Sequence, residues 1–109
     1  MNENYALTEA IYYILLSLCR PRHGYGIMQQ VEQMSGGRVH LAPGTLYGAL
    51  NSLCSREWIV PLPEEVGSRR KEYIITELGR QALRAELRRL KELTQNGEKI
   101  LEANEHGGA

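Results

Sequence analysis

Pro43-Gly44-Thr45-Leu46-Tyr47-Gly48-Ala49-Leu50-Asn51-Ser52-Leu53-Cys54-Ser55 is the stretch that decides the fold. Pro43 suits the first turn of a helix, where a missing N–H removes no bond. Leu46, Ala49, Leu50, Leu53 and Cys54 then recur at helical spacing and form one apolar face. The opposite face is Thr45, Gly48, Ser52 and Ser55, flanked by Tyr47 and Asn51, and carries no charge. A helix that meets only water usually collects Glu, Lys and Arg on that side. A short-sided, hydrogen-bonding face lets a helix lie close against a groove floor. Helix–helix packing uses small residues too, so the neighbours of this helix must decide between the two.

Upstream, residues 25–34 read as a second helix with Ile27, Val31 and Met34 inward, closed by Gly36-Gly37. The methionines are core fillers rather than ligands. Residues 6–19 form a first helix, capped by Thr8 and ended by Arg20-Pro21. Its main stripe is Ile11, Ile14, Leu15 and Leu18. Tyr12, Leu16 and Cys19 make a second apolar line, so the helix is expected to bury against a further element, for which a second subunit is the candidate.

Downstream, Trp58-Ile59-Val60-Pro61-Leu62 and Glu72-Tyr73-Ile74-Ile75 are β-branched and aromatic runs joined by Pro63-Glu64-Glu65-Val66-Gly67-Ser68. They predict a hairpin with Arg69-Arg70-Lys71 as a basic shoulder. Pro61 places its strand at an edge, and Trp58 and Tyr73 are core residues of the hairpin base. Thr76 then caps a last helix that runs to about Glu102. Leu83, Leu87, Leu90, Thr94, Gly97 and Leu101 form a seam along it, widened by Leu93 and Ile100. At 1.5 Å per residue that helix is roughly 39 Å long, more than so small a domain covers. A second copy of the chain is its expected partner.

Helix, helix, helix, hairpin, helix is the order of a winged helix-turn-helix. The fold class is therefore mainly α with a small β-hairpin, plus a C-terminal dimerisation helix. Residues 1–76 are expected to form the winged-helix domain, its first helix also at the dimer interface. Residues 77–103 form the dimerisation helix and residues 104–109 a flexible tail. The interface residues are Ile11, Leu15, Leu83, Leu87, Leu90, Leu93 and Leu101.

Composition bounds the function. The chain has 109 residues, 13 Lys plus Arg against 13 Glu, and no Asp or Phe. That excludes a histone-like basic protein and an acidic disordered tail. Residues 69–91 nonetheless hold eight bases against three acids, a local surplus that points to an anionic partner met at one place. Arg80, Arg84, Arg88, Arg89 and Lys91 read as a solvated helix face, whereas Arg69, Arg70 and Lys71 sit between a turn and a strand and read as binding groups. Three scattered histidines supply no nucleophile–base set, and no phosphate loop or metal motif is present, so the chain is read as no enzyme, with no cofactor and no metal. No apolar run spans a bilayer and no charged leader precedes one, so the expected address is cytoplasmic. Cys19 and Cys54 lie on apolar stripes and read as buried thiols, against the alternative of a redox sensor. His23 beside Gly24 reads as a capping residue.

Three blocks also resemble the PadR family of transcriptional regulators. They are His23-Gly24-Tyr25, then Gly44-Thr45-Leu46-Tyr47-x-x-Leu50-x-x-Leu53, then Arg69-Arg70-Lys71-x-Tyr73-x-x-Thr76-x-x-Gly79. The resemblance covers about residues 7–90, and the single last helix is similar to that of the small subfamily. It implies a homodimer that binds double-stranded operator DNA and usually represses, with the third helix in a major groove and the wing along the backbone or minor groove. It also implies that Tyr47 contacts the DNA backbone and that Arg70 and Lys71 are the basic wing positions. The chain departs from the family in having Gly48 where Pro is common. It also reads Leu53-Cys54-Ser55-Arg56-Glu57-Trp58 where Leu-Glu-x-x-Gly is common.

The DNA-binding set expected from both readings is Thr45, Tyr47, Gly48, Asn51, Ser52, Arg69, Arg70 and Lys71. Thr45 and Asn51 have the side chains suited to base edges. No arginine lies on the exposed face of the third helix, so DNA shape and half-site spacing are expected to carry much of the specificity. The drug-responsive relatives are implied to hold flat aromatic compounds at the dimer centre against a Trp of the last helix. No aromatic residue follows Tyr73 here, so any small-molecule effector is left with Tyr12 and Tyr13, with Leu93, as its pocket and Tyr5 on the approach; the favoured role of these tyrosines is to pack the first helix against the partner's last helix. The alternative function is a winged-helix protein–protein interaction module without specific DNA binding.

Overall fold

Thr8 accepts a hydrogen bond from the Ile11 amide at 3.1 Å and caps α1 (Glu9–Ser17) in the computed structural model, which describes residues 6–64 and 70–106. The helix stops before the predicted Arg20-Pro21 boundary. Leu18 is its C-cap, and the Arg22 guanidinium donates to the Ser17 carbonyl at 2.8 Å. Arg22–His23 then form a two-residue strand, β1, followed by α2 (Gly24–Met34). The second helix ends as expected on its glycines: Gly36 and Gly37 have φ of 62° and 83°, and the Gly37 amide returns to the Glu32 carbonyl at 2.9 Å. Met34, expected inside, is 36% exposed because it closes the last turn.

The third helix, α3 (Pro43–Ser55), has the predicted bounds, with Pro43 in its first turn. Strands β2 (Ile59–Pro61) and β3 (Glu72–Ile75) follow, and then α4 (Glu77–His106). The hairpin is part of a three-stranded antiparallel sheet in the order β1-β3-β2. Arg22 pairs with Tyr73 and His23 with Glu72, while Pro61 lies on an edge strand opposite Tyr73.

Ile14, Leu15 and Leu18 of α1, Ile27 and Val31 of α2, Leu46 and Leu50 of α3 and Ile59 of β2 are fully buried. Burial of side chains this size stabilises by about 1.5–3 kcal/mol each. Leu15, placed above at a subunit interface, therefore has no surface left for a partner, and Leu83 has little. The reason is that α1 packs against both α2 and α4 of its own chain. The half-buried Ile11 and Leu90 and the exposed Leu87, Leu93 and Leu101 keep surface to offer.

Thr76 joins the wing to α3. Its hydroxyl donates to the Glu57 carbonyl at 2.7 Å and accepts from the Gly79 amide at 3.1 Å, and its own amide donates to the Trp58 carbonyl at 2.9 Å. Glu57 has a φ of 62°, a left-handed conformation in which a side chain costs about 1–2 kcal/mol. Trp58 is half-buried beside it, with the Arg56 guanidinium 5.1 Å from its ring centre.

The last helix is 30 residues long, about 45 Å at 1.5 Å per residue. It continues through Asn104 and Glu105, expected in a frayed tail; residues 107–109 lie outside the described residues. Every residue of 91–105 is exposed.

Glu86 is a residue that the solvated-face reading missed. It is 3% exposed, accepts the Leu7 amide at 3.0 Å and takes a forked pair from Arg89 at 2.7 Å on each oxygen. Arg89 first, opposed by burial and aided by the Leu7 amide, holds the carboxyl below the usual carboxylate range. A depressed pKa stabilises the fold above the unfolded value, and that stability is lost as pH falls through the folded one. Glu86→Gln is therefore expected to lower stability at pH 7 by about 1.5–3 kcal/mol. The gap from wild type should close in thermal melts taken below about pH 4.5. A gap that stays constant from pH 7 to pH 3 would show that the charge contributes nothing.

Candidate nucleic-acid interface

Buried Leu46, Leu50 and Leu53 fix the rotation of α3, which turns Thr45, Tyr47, Gly48, Asn51, Ser52 and Ser55 outward. All six are exposed, and Tyr47 keeps 48% of its surface. The C-terminal half of α3 adjoins the wing. Burial pushes the Cys54 thiol up while the nearby Lys71 ammonium pulls the other way, and burial likewise raises Tyr73, with Cys54 and Tyr47 adding to it. A raised thiol holds little thiolate at neutral pH, which weighs against a redox role for Cys54. Cys19 is half-buried, with Arg80 3.9 Å from its sulfur.

The third strand brings α2 to the same place. His23 caps α2, its Nδ1 accepting from the Gly26 amide at 3.3 Å. Its Nε2 lies 3.2 Å from Nη1 of Arg70 on the wing. Arg70 and Lys71 are exposed, and Arg69 lies outside the described residues. A Cβ built on Gly24 would fall against the Tyr47 phenol, which places that ring over the first turn of α2. Tyr47, His23, Arg70 and Lys71 thus share one neighbourhood next to the uncharged face of α3. Direct reading by a helix flanked by backbone-gripping cations is the arrangement through which winged helices bind duplex DNA.

Within one subunit the expected effector residues line no common hollow. Tyr12 and Tyr13 stack tilted with ring centres 6.0 Å apart, but only Tyr12 lines the hollow between α1 and α4. That hollow holds about 160 Å³ and is walled by Leu16, Arg80, Leu83, Arg84 and Leu87, without Tyr13 or Leu93. Tyr5 lies outside the described residues. A larger groove of about 300 Å³ runs from Leu7 and Ile11 to Leu53 and Trp58, a site no sequence pattern marked. Among the described residues no group of three or more His, Cys, Asp or Glu is placed to hold a metal, and no helix is long and apolar enough to cross a membrane.

Residues 13–85 match the transcriptional regulator PadR-like family. The chain belongs to that family. The fold of this PadR-like chain matches those of solved transcriptional regulators. A PadR family regulator from Clostridium difficile superposes with a TM-score of 0.69 at 24% identity, covering 85% of this chain and 97% of that one. A PadR family regulator from Eggerthella lenta gives 0.68 at 23% identity, covering 84% and 76%. RosR of H. salinarum gives 0.68 at 22% identity, covering 96% and 99%. An uncharacterized 37.1 kDa protein in transposon TN4556 of Streptomyces fradiae is 41% identical over 76 residues. The match takes in 66% of this PadR-like chain and 21% of that protein, so the chain spans about a fifth of the length of its curated relative.

Proposed function

We propose that the chain acts as a homodimer that binds a two-fold symmetric DNA operator and represses transcription there. The observation that carries this reading is the second half of α4: residues 91–105 are exposed throughout, and they include Leu93 at 53%, Ile100 at 62% and Leu101 at 61%. An apolar stripe on a helix that long needs a covering surface, and a second copy with the same stripe supplies one. Two joined heads then present two α3 faces to half-sites about one helical turn, or roughly 34 Å, apart. Thr45 and Asn51 face base edges, with Gly48 and Ser52 allowing close approach. Tyr47, Arg69, Arg70 and Lys71 take the backbone.

A small-molecule effector fits this reading only at the dimer level. The hollow beside Tyr12 is smaller than the roughly 300–1,000 Å³ of ordinary ligand pockets. A partner's Tyr13 or Leu93 is needed to enlarge and close it.

The wing is tested by replacing Arg70 and Lys71 together with Ala. Affinity for every duplex should fall to a similar extent, and the log–log salt slope should become shallower by about 0.9 for each phosphate that the variant no longer neutralises. A protein–protein module whose wing is basic only for solubility would show no such slope in either form. That result would favour the interaction-module reading.

A further inference from the structure

We propose that Gly24 positions Tyr47 for DNA, so that the missing side chain on one helix sets the aim of a DNA-facing group on the next. The inference rests on the reading of Tyr47 as a DNA contact. Gly24 is the buried first residue of α2. Among the described residues the glycines with left-handed φ are Gly36 and Gly37, so backbone conformation is not what position 24 requires of a glycine. Space is. A Cβ there would meet the Tyr47 phenol oxygen and stand 3.0 Å from its ring Cζ; its next neighbour, Leu46 Cδ2, would be at an ordinary 3.5 Å.

Two features make Tyr47 the group that must yield. The first turn of α2 is pinned, since Arg22 and His23 pair with Tyr73 and Glu72 across the sheet and His23 caps the Gly26 amide. Tyr47 is a half-exposed side chain, so its ring turns outward at less cost than the paired and capped backbone shifts. Alanine at position 24 therefore leaves the fold intact and moves the phenol. The same pinned turn faces Arg70 through His23, so Gly24 lies where the α3 and wing contributions to the interface meet.

The test is a double-mutant cycle on duplex binding by the full chain, using the operator selected in vitro. Gly24→Ala should keep or raise the thermal midpoint, because Ala is the better helix residue, and should weaken binding about tenfold per subunit. Tyr47→Phe, which removes the phenol oxygen, should weaken binding to a similar extent. The double variant should be no weaker than Tyr47→Phe alone. Losses that multiply, or a Gly24→Ala protein that binds like wild type, would overturn the proposal. If Tyr47→Phe alone changes nothing, Tyr47 is no DNA contact and the proposal fails with it, while the salt slope of the wing variant still judges the DNA reading by itself.

Discussion

Leu87→Glu combined with Leu101→Glu is expected to split the proposed dimer and lower affinity for its selected operator by about a thousandfold or more, to the level of non-specific binding. Leu87 is 43% exposed and Leu101 is 61% exposed in the single chain, so neither change disturbs a subunit's own core. Helical content by circular dichroism should stay near the wild-type value. In the proposed dimer both positions fall in the shared seam, where a carboxylate would have no partner and its desolvation would be uncompensated. One head alone engages one half-site, and the link that makes the second contact nearly intramolecular is gone. Sedimentation of the double variant as an intact dimer with wild-type affinity would remove α4 from the interface.

Gly79→Val is expected to destabilise the subunit by about 3 kcal/mol, a large part of the total for a domain this size. A Cβ on Gly79 would fall on the backbone carbonyl of Trp58, 3.0 Å from its carbon, and 2.7 Å from Ile75 Cγ1. Backbone held at both ends by Thr76 has nowhere to retreat. Gly48→Ala is the control. A Cβ on Gly48 meets nothing within 4 Å, so alanine there should add stability, by about 1 kcal/mol in a helix. Thermal melts of the two variants should therefore move in opposite directions. A Gly79→Val protein as stable as wild type would mean that the junction of wing and α3 is not packed as described.

Much of this was legible because the sequence states it locally. Pro43 and the Leu46–Leu50–Leu53 spacing set both the bounds and the rotation of α3, and rotation alone decided which side chains face out. Thr8, His23 and Thr76 act as caps at the places their types and neighbours indicate. Strand β1 was not legible. Arg22 and His23 have no strand pattern of their own and are extended because β3 pairs with them. Leu15 misled for a related reason: two apolar lines on α1 imply two neighbours, and the sequence does not say that both are in the same chain. Glu86 left a readable trace, three residues after Leu83 and four before Leu90 on the apolar stripe, but its partner Leu7 is a backbone amide far away in sequence. The seat of Tyr47 on Gly24 is likewise a contact between two helices that periodicity within either one does not reveal.

Sequence-specific duplex binding by a two-headed protein is best tested by selecting duplexes from a random pool with the purified full chain. The expected result is enrichment of a motif with two inverted half-sites whose centres are about ten base pairs, or a small multiple of that, apart. The enriched duplex should bind at least about a thousandfold tighter than unselected DNA at the same salt. A pool that shows no enriched motif, with every duplex bound equally and only through its salt-dependent charge, would contradict it.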